Sequence, residues 1–131
     1  MSGYLVDTSV FIAAEQRRRV GSPPAGEARI SVVTLTELSV GVRRAADNRL
    51  RELRTMTLAR ARRFVALSYD EPVAEHLAAL LVTGRDRRRR AGAMDAIIAA
   101  TALAHGLVVW TQDADFDVLA DLDPSLQVHR N

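Results

Sequence analysis

Short apolar runs and amphipathic stretches take turns along the whole chain, with turn-forming or capping residues between them. Gly3 to Val6 is an apolar run closed by Asp7, which predicts a strand, and Thr8 or Ser9 can then cap a helix carrying Val10, Phe11, Ala13 and Ala14. Gly21 to Gly26, with two prolines between, reads as a loop. The β-branched run Ile30 to Val33 predicts the next strand, Thr34 a cap, and Leu35, Leu38 and Val42 the stripe of a second helix that has Glu37 at its border in the first turn.

The same alternation continues to the C-terminus. Residues 48 to 63 suggest an arginine-rich helix with a weak stripe through Leu50, Leu53 and Ala61, and Phe64 to Leu67 a strand. A helix opening at Asp70, with Pro72 in its first turn, carries Val73, Leu77, Leu80 and Leu81 on one face until Gly84 and an arginine run stop it. Ala93 to His105 is apolar or small almost all round, as a buried helix is, and Gly106 ends it. Leu107 to Trp110 is a continuous apolar strand of the kind covered on both faces, followed by a short helical turn from Asp113 and a last strand near Leu126 to Val128. Strands alternating with helices predict an α/β fold with a parallel sheet, whose sites form beyond the carboxyl ends of the strands.

Composition narrows the chemistry. The 131 residues, 48% of them hydrophobic, suit one domain, and no apolar run approaches the roughly 20 residues of a membrane span. Asp7 interrupts the apolar N-terminus and no basic segment precedes it, so a secretory signal is not expected and the cytoplasm is. There is no cysteine, which excludes thiol nucleophiles and cysteine zinc sites. All 18 basic residues are arginine, so phosphate-loop and Schiff-base lysine chemistry is excluded as well.

A net charge of +2 conceals a separation of charge. Thirteen arginines fall in two blocks, one from Arg43 to Arg63 and one comprising Arg85, Arg87, Arg88, Arg89 and Arg90, while Asp113, Asp115, Asp117, Asp121 and Asp123 crowd the C-terminal end. The first block reads as the solvated face of a helix; Arg87 to Arg90 read as a rim for a polyanion.

Asp7 ends the first strand, Glu37 begins the second helix, Asp95 opens the buried helix and Asp113 follows the Leu107 to Trp110 strand, so four acids share one edge. Singly, each has an ordinary reading as a cap, a surface glutamate, a helix-start acid or a turn residue. Together they would raise one another's pKa, a conflict that a divalent cation resolves. With oxygen ligands only, a hard ion is favoured, Mg2+ or Mn2+. Asp115 is either a further ligand or one of the exposed C-terminal acids. Ser9 and Thr111 place hydroxyls where they could orient a carboxylate, or serve as a cap and a turn. His76, His105 and His129 are dispersed without metal-ligand spacing, and Trp110 reads as core.

Four segments, taken in order, resemble a family: Leu5-Val6-Asp7-Thr8-Ser9, Thr34-Leu35-Thr36-Glu37-Leu38 with Gly41-Val42, Asp95-Ala96-Ile97-Ile98-Ala99-Ala100-Thr101-Ala102, and Thr111-Gln112-Asp113-Ala114-Asp115-Phe116. They look like the PIN domain and, more closely, the VapC toxins of bacterial VapBC toxin–antitoxin pairs. The resemblance implies a single PIN domain over residues 1 to 131, a three-layer α/β/α sandwich with a central, mainly parallel sheet of about five strands. It implies a Mg2+- or Mn2+-dependent endoribonuclease toxin that cuts a specific tRNA or ribosomal RNA. Asp7, Glu37, Asp95 and Asp113 would be its acidic quartet, with Asp7, Asp95 and Asp113 on the metal. It further implies a homodimer and a VapB antitoxin that blocks the site. Hydrolytic attack on the phosphodiester would leave a 3′-hydroxyl and a 5′-phosphate. The arginine run before Asp95 is not part of the family motif, and its reading as an RNA-contacting rim is independent of it.

Two rivals stand beside this reading. A HAD-like phosphatase wants an aspartate where this chain has Ser9, and a lysine it does not have. A non-catalytic RNA- or partner-binding module would keep the fold without using the acids for cleavage.

Overall fold

The computed structural model describes residues 3–131. Five strands, β1 (Gly3–Val6), β2 (Glu27–Ser31), β3 (Val65–Leu67), β4 (Val108–Thr111) and β5 (Val128–Arg130), alternate with six helices among these residues. The helices are α1 (Thr8–Glu15), α2 (Val32–Arg43), α3 (Asn48–Ala61), α4 (Glu71–Asp86), α5 (Ala93–His105) and α6 (Asp115–Leu122). The strands form one sheet in the order β3-β2-β1-β4-β5, and every pairing is parallel. None of the helices among the described residues is long and apolar enough to cross a membrane.

Side chains alternate across the sheet, and that alternation splits the core in two. Leu5 and Val109 face a cluster completed by Val73, Leu80, Ile98, Phe116 and Leu119, from α4, α5 and α6. Val6, Ile30 and Trp110 face another, completed by Val10, Phe11, Leu38 and Leu58, from α1, α2 and α3. The result is three layers, α/β/α, as the sequence implies. Buried on both faces, β1 and β4 carry the near-continuous apolar runs of a parallel sheet interior. Trp110 is core, stacked edge-on against Tyr4.

Helix starts differ from the pattern reading by a few residues, for local reasons. Asp7 itself caps α1, accepting from the Ser9 amide, and Thr8 is the first helical residue. Ser31 rather than Thr34 caps α2, accepting from the Val33 amide at 3.1 Å, so Val32 and Val33 are helical despite their β-branching. Glu37 therefore lies in the second turn of α2, not the first. In α3 the inward residues are Thr57, Leu58 and Ala61, while Leu53 is exposed. Leu81 of α4 is also exposed, and Gly84 does not stop that helix. Gly84 is instead buried within it, where the chain folds back so closely that a Cβ would sit 2.8 Å from the Arg89 carbonyl oxygen. α6 begins at Asp115 and β5 at Val128, each two residues later than the pattern suggests. α5 and its αL Gly106 match the sequence reading residue for residue.

From β1 the chain moves outward through β2 to β3, then crosses to the other side of β1 for β4 and β5. The carboxyl ends of β1 and β4 are thus the topological switch point of the sheet, where a crevice opens in α/β folds. Asp7 and Asp113 follow those two ends.

Candidate active site

Asp7 is buried at the end of β1. Its Oδ2 accepts from the Ser9 hydroxyl at 2.6 Å, the Thr111 hydroxyl at 2.8 Å and, more weakly, the Ser9 amide at 3.3 Å. The two hydroxyls are themselves fixed by the turn after β4: the Gln112 amide donates to Ser9 Oγ and the Asp113 amide to Thr111 Oγ1, both at 2.9 Å. Ser9 and Thr111, secondary candidates in the sequence, are thus the clamp on the first acid. Burial nonetheless raises the Asp7 pKa, against the lowering effect of these hydrogen bonds.

Glu37 is half-buried on α2, and its Oε1 accepts from the Thr8 hydroxyl at 2.6 Å. Its pKa is raised chiefly by burial; the Thr8 hydrogen bond opposes the rise, and repulsion from Asp7 and Asp113 adds to it. Thr8 and its neighbour Thr34 had no assigned chemistry in the sequence reading beyond capping. The contact joins residues 29 apart, and no local pattern marks it.

Asp95 lies in the first turn of α5, whose cap, Gly92, provides no side-chain hydrogen bond. Burial pushes its pKa to about 7, with added repulsion from Asp7, Asp113, Glu37 and Asp115. Burial first, and the neighbouring carboxylates second, thus outweigh the favourable field of the helix N-terminus at Asp95. Asp113 is both a turn residue and a site residue: its Oδ1 accepts from the Asp115 amide at 2.9 Å. Carboxylate oxygens of Asp95, Asp113 and Asp115 all lie within 4.8 Å of one another. Asp115 is exposed, as an ordinary C-terminal acid would be, yet it stands with the other two. Three carboxylates so close, with Asp7 and Glu37 beside them and no nitrogen or sulfur donor among the three, make a donor set that fits a hard divalent cation.

The arginines divide by what they touch. Arg87 donates to the Asp121 carbonyl at 2.9 Å and Arg89 pairs with the Asp121 carboxylate at 3.0 Å, so two of the four run residues pin the loop to α6. Arg88 and Arg90 are exposed along a groove of about 730 Å³ floored by Leu80, Leu119 and Leu122, which Arg89 also lines and which reaches Ala93 and Ala96 of α5. The earlier block is more than a solvated face. Arg54 is half-buried, donates to the Gly41 carbonyl at 2.7 Å and, with Arg44, Glu15 and Gln16, lines a second groove next to Glu37. His105 is exposed, His129 lies 3.1 Å from the Ser22 carbonyl oxygen, and no histidine joins the acidic cluster found among the described residues.

Residues 4–122 match the sequence model of the PIN domain. Ribonuclease VapC4 of Mycobacterium tuberculosis is 42% identical over 120 residues, a match covering 91% of this chain and 92% of that protein. Ribonuclease VapC5 of the same organism is 38% identical over 116 residues, 88% of this chain and 86% of the relative. Among solved structures, a member of the VapBC family of toxin-antitoxin systems, VapBC-5 from Mycobacterium tuberculosis, superposes with a TM-score of 0.82 at 36% identity, covering 99% of this chain and 98% of that one.

Proposed function

This chain belongs to the PIN-domain family and, within it, to the VapC ribonucleases, and from that premise we propose that it is a metal-dependent endoribonuclease toxin, a single PIN domain cleaving a specific tRNA or ribosomal RNA. The observation that carries the reading is the meeting of Asp95, Asp113 and Asp115 within 4.8 Å at the sheet's switch point, with Asp7 and Glu37 adjoining.

Asp7, Asp95 and Asp113 would hold Mg2+ or Mn2+, with Asp115 as a further carboxylate. When bound, such an ion neutralises charge on a phosphate in transit and makes water a better nucleophile. The protein's own part is to fix the acids: Ser9 and Thr111 clamp Asp7 on one oxygen, and the Asp113 turn sets its carboxylate beside Asp95. Water adds to phosphorus as the bond to the 3′ oxygen breaks, leaving a 3′-hydroxyl and a 5′-phosphate, with the 2′-hydroxyl a spectator. Arg87 to Arg90 form the RNA rim, Arg88 and Arg90 being the pair without a contact to Asp121. The proposed setting is cytoplasmic, as a homodimer held in check by a VapB-type antitoxin, the partner class of the VapBC-5 complex.

Induced expression of the wild type and Asp95→Asn, with 5′-end mapping of total RNA, tests this. Growth arrest and one new 5′ end in a tRNA or ribosomal RNA, confined to the wild type, are the expected result. Arrest by both proteins, or soluble wild type with neither arrest nor a new end, would overturn it.

A further inference from the structure

Each acid of the site except Glu37 sits at the end of a strand or the start of a helix, where backbone turns help to fix it. Glu37 projects from the second turn of α2 on a long side chain, and only one hydrogen bond to its carboxylate is found among the described residues, the 2.6 Å contact from Thr8. Thr8 belongs to a different element, the first residue of α1. Its hydroxyl also lies 2.9 Å from that of Thr34, one helical turn before Glu37 on α2. Both threonines are buried.

The protons can be assigned. A hydroxyl has one to give, and an ionised carboxylate only accepts. With Glu37 ionised, the Thr8 proton goes to Oε1, the shorter and charged of its two acceptors, while Thr34 Oγ1 is the second acceptor within its reach, so the Thr8 hydroxyl chain spans two points of α2. The chain ties the N-terminus of α1 to α2 and occupies one oxygen of the carboxylate. We propose that Thr8 is a positioning residue for cleavage: buried beside Thr34, its hydroxyl locks the Glu37 side chain in one orientation and leaves Oε2 to the reaction. Hydrogen-bond partners of this kind are a usual means by which a flexible acidic side chain beside a metal site is given a single geometry. Thr8 directly follows Asp7, so one turn of chain supplies the first acid and orients the second.

The inference rests on the nuclease reading of the same site, and two independent readouts keep the two apart. In single-turnover cleavage of the mapped RNA, Thr8→Val should lower the rate constant about 10–100-fold. The RNA concentration for half-maximal rate should stay within about twofold, since orientation and not binding is lost. Thr8→Ser, which keeps the hydroxyl, should recover to within about threefold. In a Glu37→Gln background Thr8→Val should change the rate by less than about twofold, because its effect passes through the carboxylate already removed. Calorimetric Mn2+ affinity of the purified protein without RNA should fall in Thr8→Val, in the direction of Glu37→Gln, and return in Thr8→Ser. Should the valine variant not fold, Thr8→Ala is held to the same outcomes. A Thr8→Val protein that cleaves and binds Mn2+ as the wild type does overturns the proposal, as does a penalty undiminished in the Glu37→Gln background. If the wild type cleaves no RNA but binds Mn2+, the nuclease reading fails and the Mn2+ series still decides Thr8. A wild type that does neither overturns both.

Discussion

At the ends of β1 and β4, Asp7 is clamped by two hydroxyls that are themselves hydrogen-bonded to the next turn of chain, and no buried side-chain oxygen or nitrogen among the described residues lacks a partner. Next to it, Asp95 follows a Gly92 cap that makes no side-chain hydrogen bond, and its carboxylate stands within 4.8 Å of those of Asp113 and Asp115. Both regions crowd negative charge at the end of the sheet, with Asp7 buried, Asp95 and Asp113 half-buried and Asp115 exposed. In the first, hydroxyl donors offset part of the cost of burial, though the Asp7 pKa is still raised; in the second, repulsion among the acids adds to burial at Asp95. On the proposed function a cation would be received at the second, with Asp7 reaching it from the first.

The sharpest way to break that contrast is to neutralise each acid separately. Asp7→Asn and Asp95→Asn should each reduce cleavage by more than the ~10–100-fold typical of losing an outer-shell partner. Their effects on the metal-free protein should differ in size. Asp7→Asn removes a buried charge, but its amide oxygen has to take over the Ser9 and Thr111 hydroxyl bonds while its NH2 group enters a buried pocket, so denaturant unfolding should show little or no gain in stability. Asp95→Asn removes a carboxylate that four others repel, so its thermal midpoint in chelator should rise. An equal change in both variants would show that the two regions are not distinct.

The pH response sharpens the contrast further. The folded pKa of Asp95, about 7, lies above the roughly 3.9 of an unfolded aspartate. Between those values the native state holds a proton that the unfolded chain has released, so this stabilising contribution is present in acid and lost as pH rises through about 7. Asp7 and Glu37, also raised, act in the same sense. Metal-free protein should therefore melt at lower temperature at pH 8 than at pH 5, and Mn2+ should reverse the order. Because the cation displaces that proton, Mn2+ affinity should climb by up to about tenfold per pH unit below 7 and level off above it. An affinity independent of pH from 5 to 8 would remove Asp95 from the binding group.

The clamp itself was only partly legible in the sequence. Periodicity exposes β1, β4 and α5 because each is buried nearly all round, and the acids at their ends follow from counting. Hydroxyls beside acids in the chain, Ser9 and Thr111, could be named as candidates. The start of α2 was misplaced because a serine cap at Ser31 outweighs the β-branched run that follows it. Contacts between distant elements left no trace: Thr8 meets Glu37 across 29 residues, and Arg89 meets Asp121 across 32, through packing that no spacing rule encodes. A run of four like charges looked uniform, and the structure divides it in pairs. Asp115 could be named as a further ligand, but its nearness to Asp95 depends on how α5 and α6 meet.

Between the two hydroxyls of the clamp, Thr111 should matter more. It is fully buried, donates to Asp7 and accepts from the Asp113 amide, so Thr111→Val frees both an acid and the turn carrying the next. About tenfold loss of cleavage is expected, with Ser9→Ala below that because Asp7 keeps its Thr111 contact. Equal losses, measured in single turnover, would mean that the two hydroxyls act as one unit.

The smallest expected effect separates the arginine pairs. Each phosphate contact to single-stranded RNA contributes about 0.7 to the slope of log affinity against log salt. Removing one should change the affinity ratio between 50 and 200 mM salt by roughly 2.5-fold. Arg88→Ala and Arg90→Ala should each flatten the slope by that amount, with folding unchanged. Arg89→Ala should cost at most the roughly 0.2–1 kcal/mol of an exposed ion pair and act on stability first, because its guanidinium is already engaged by Asp121. If the slope is the same in all three variants, the rim does not touch phosphate. The strand would then have to run past Glu37 instead, along the groove that Arg44 and Arg54 line, and the salt slope of Arg44→Ala becomes the measurement that places it.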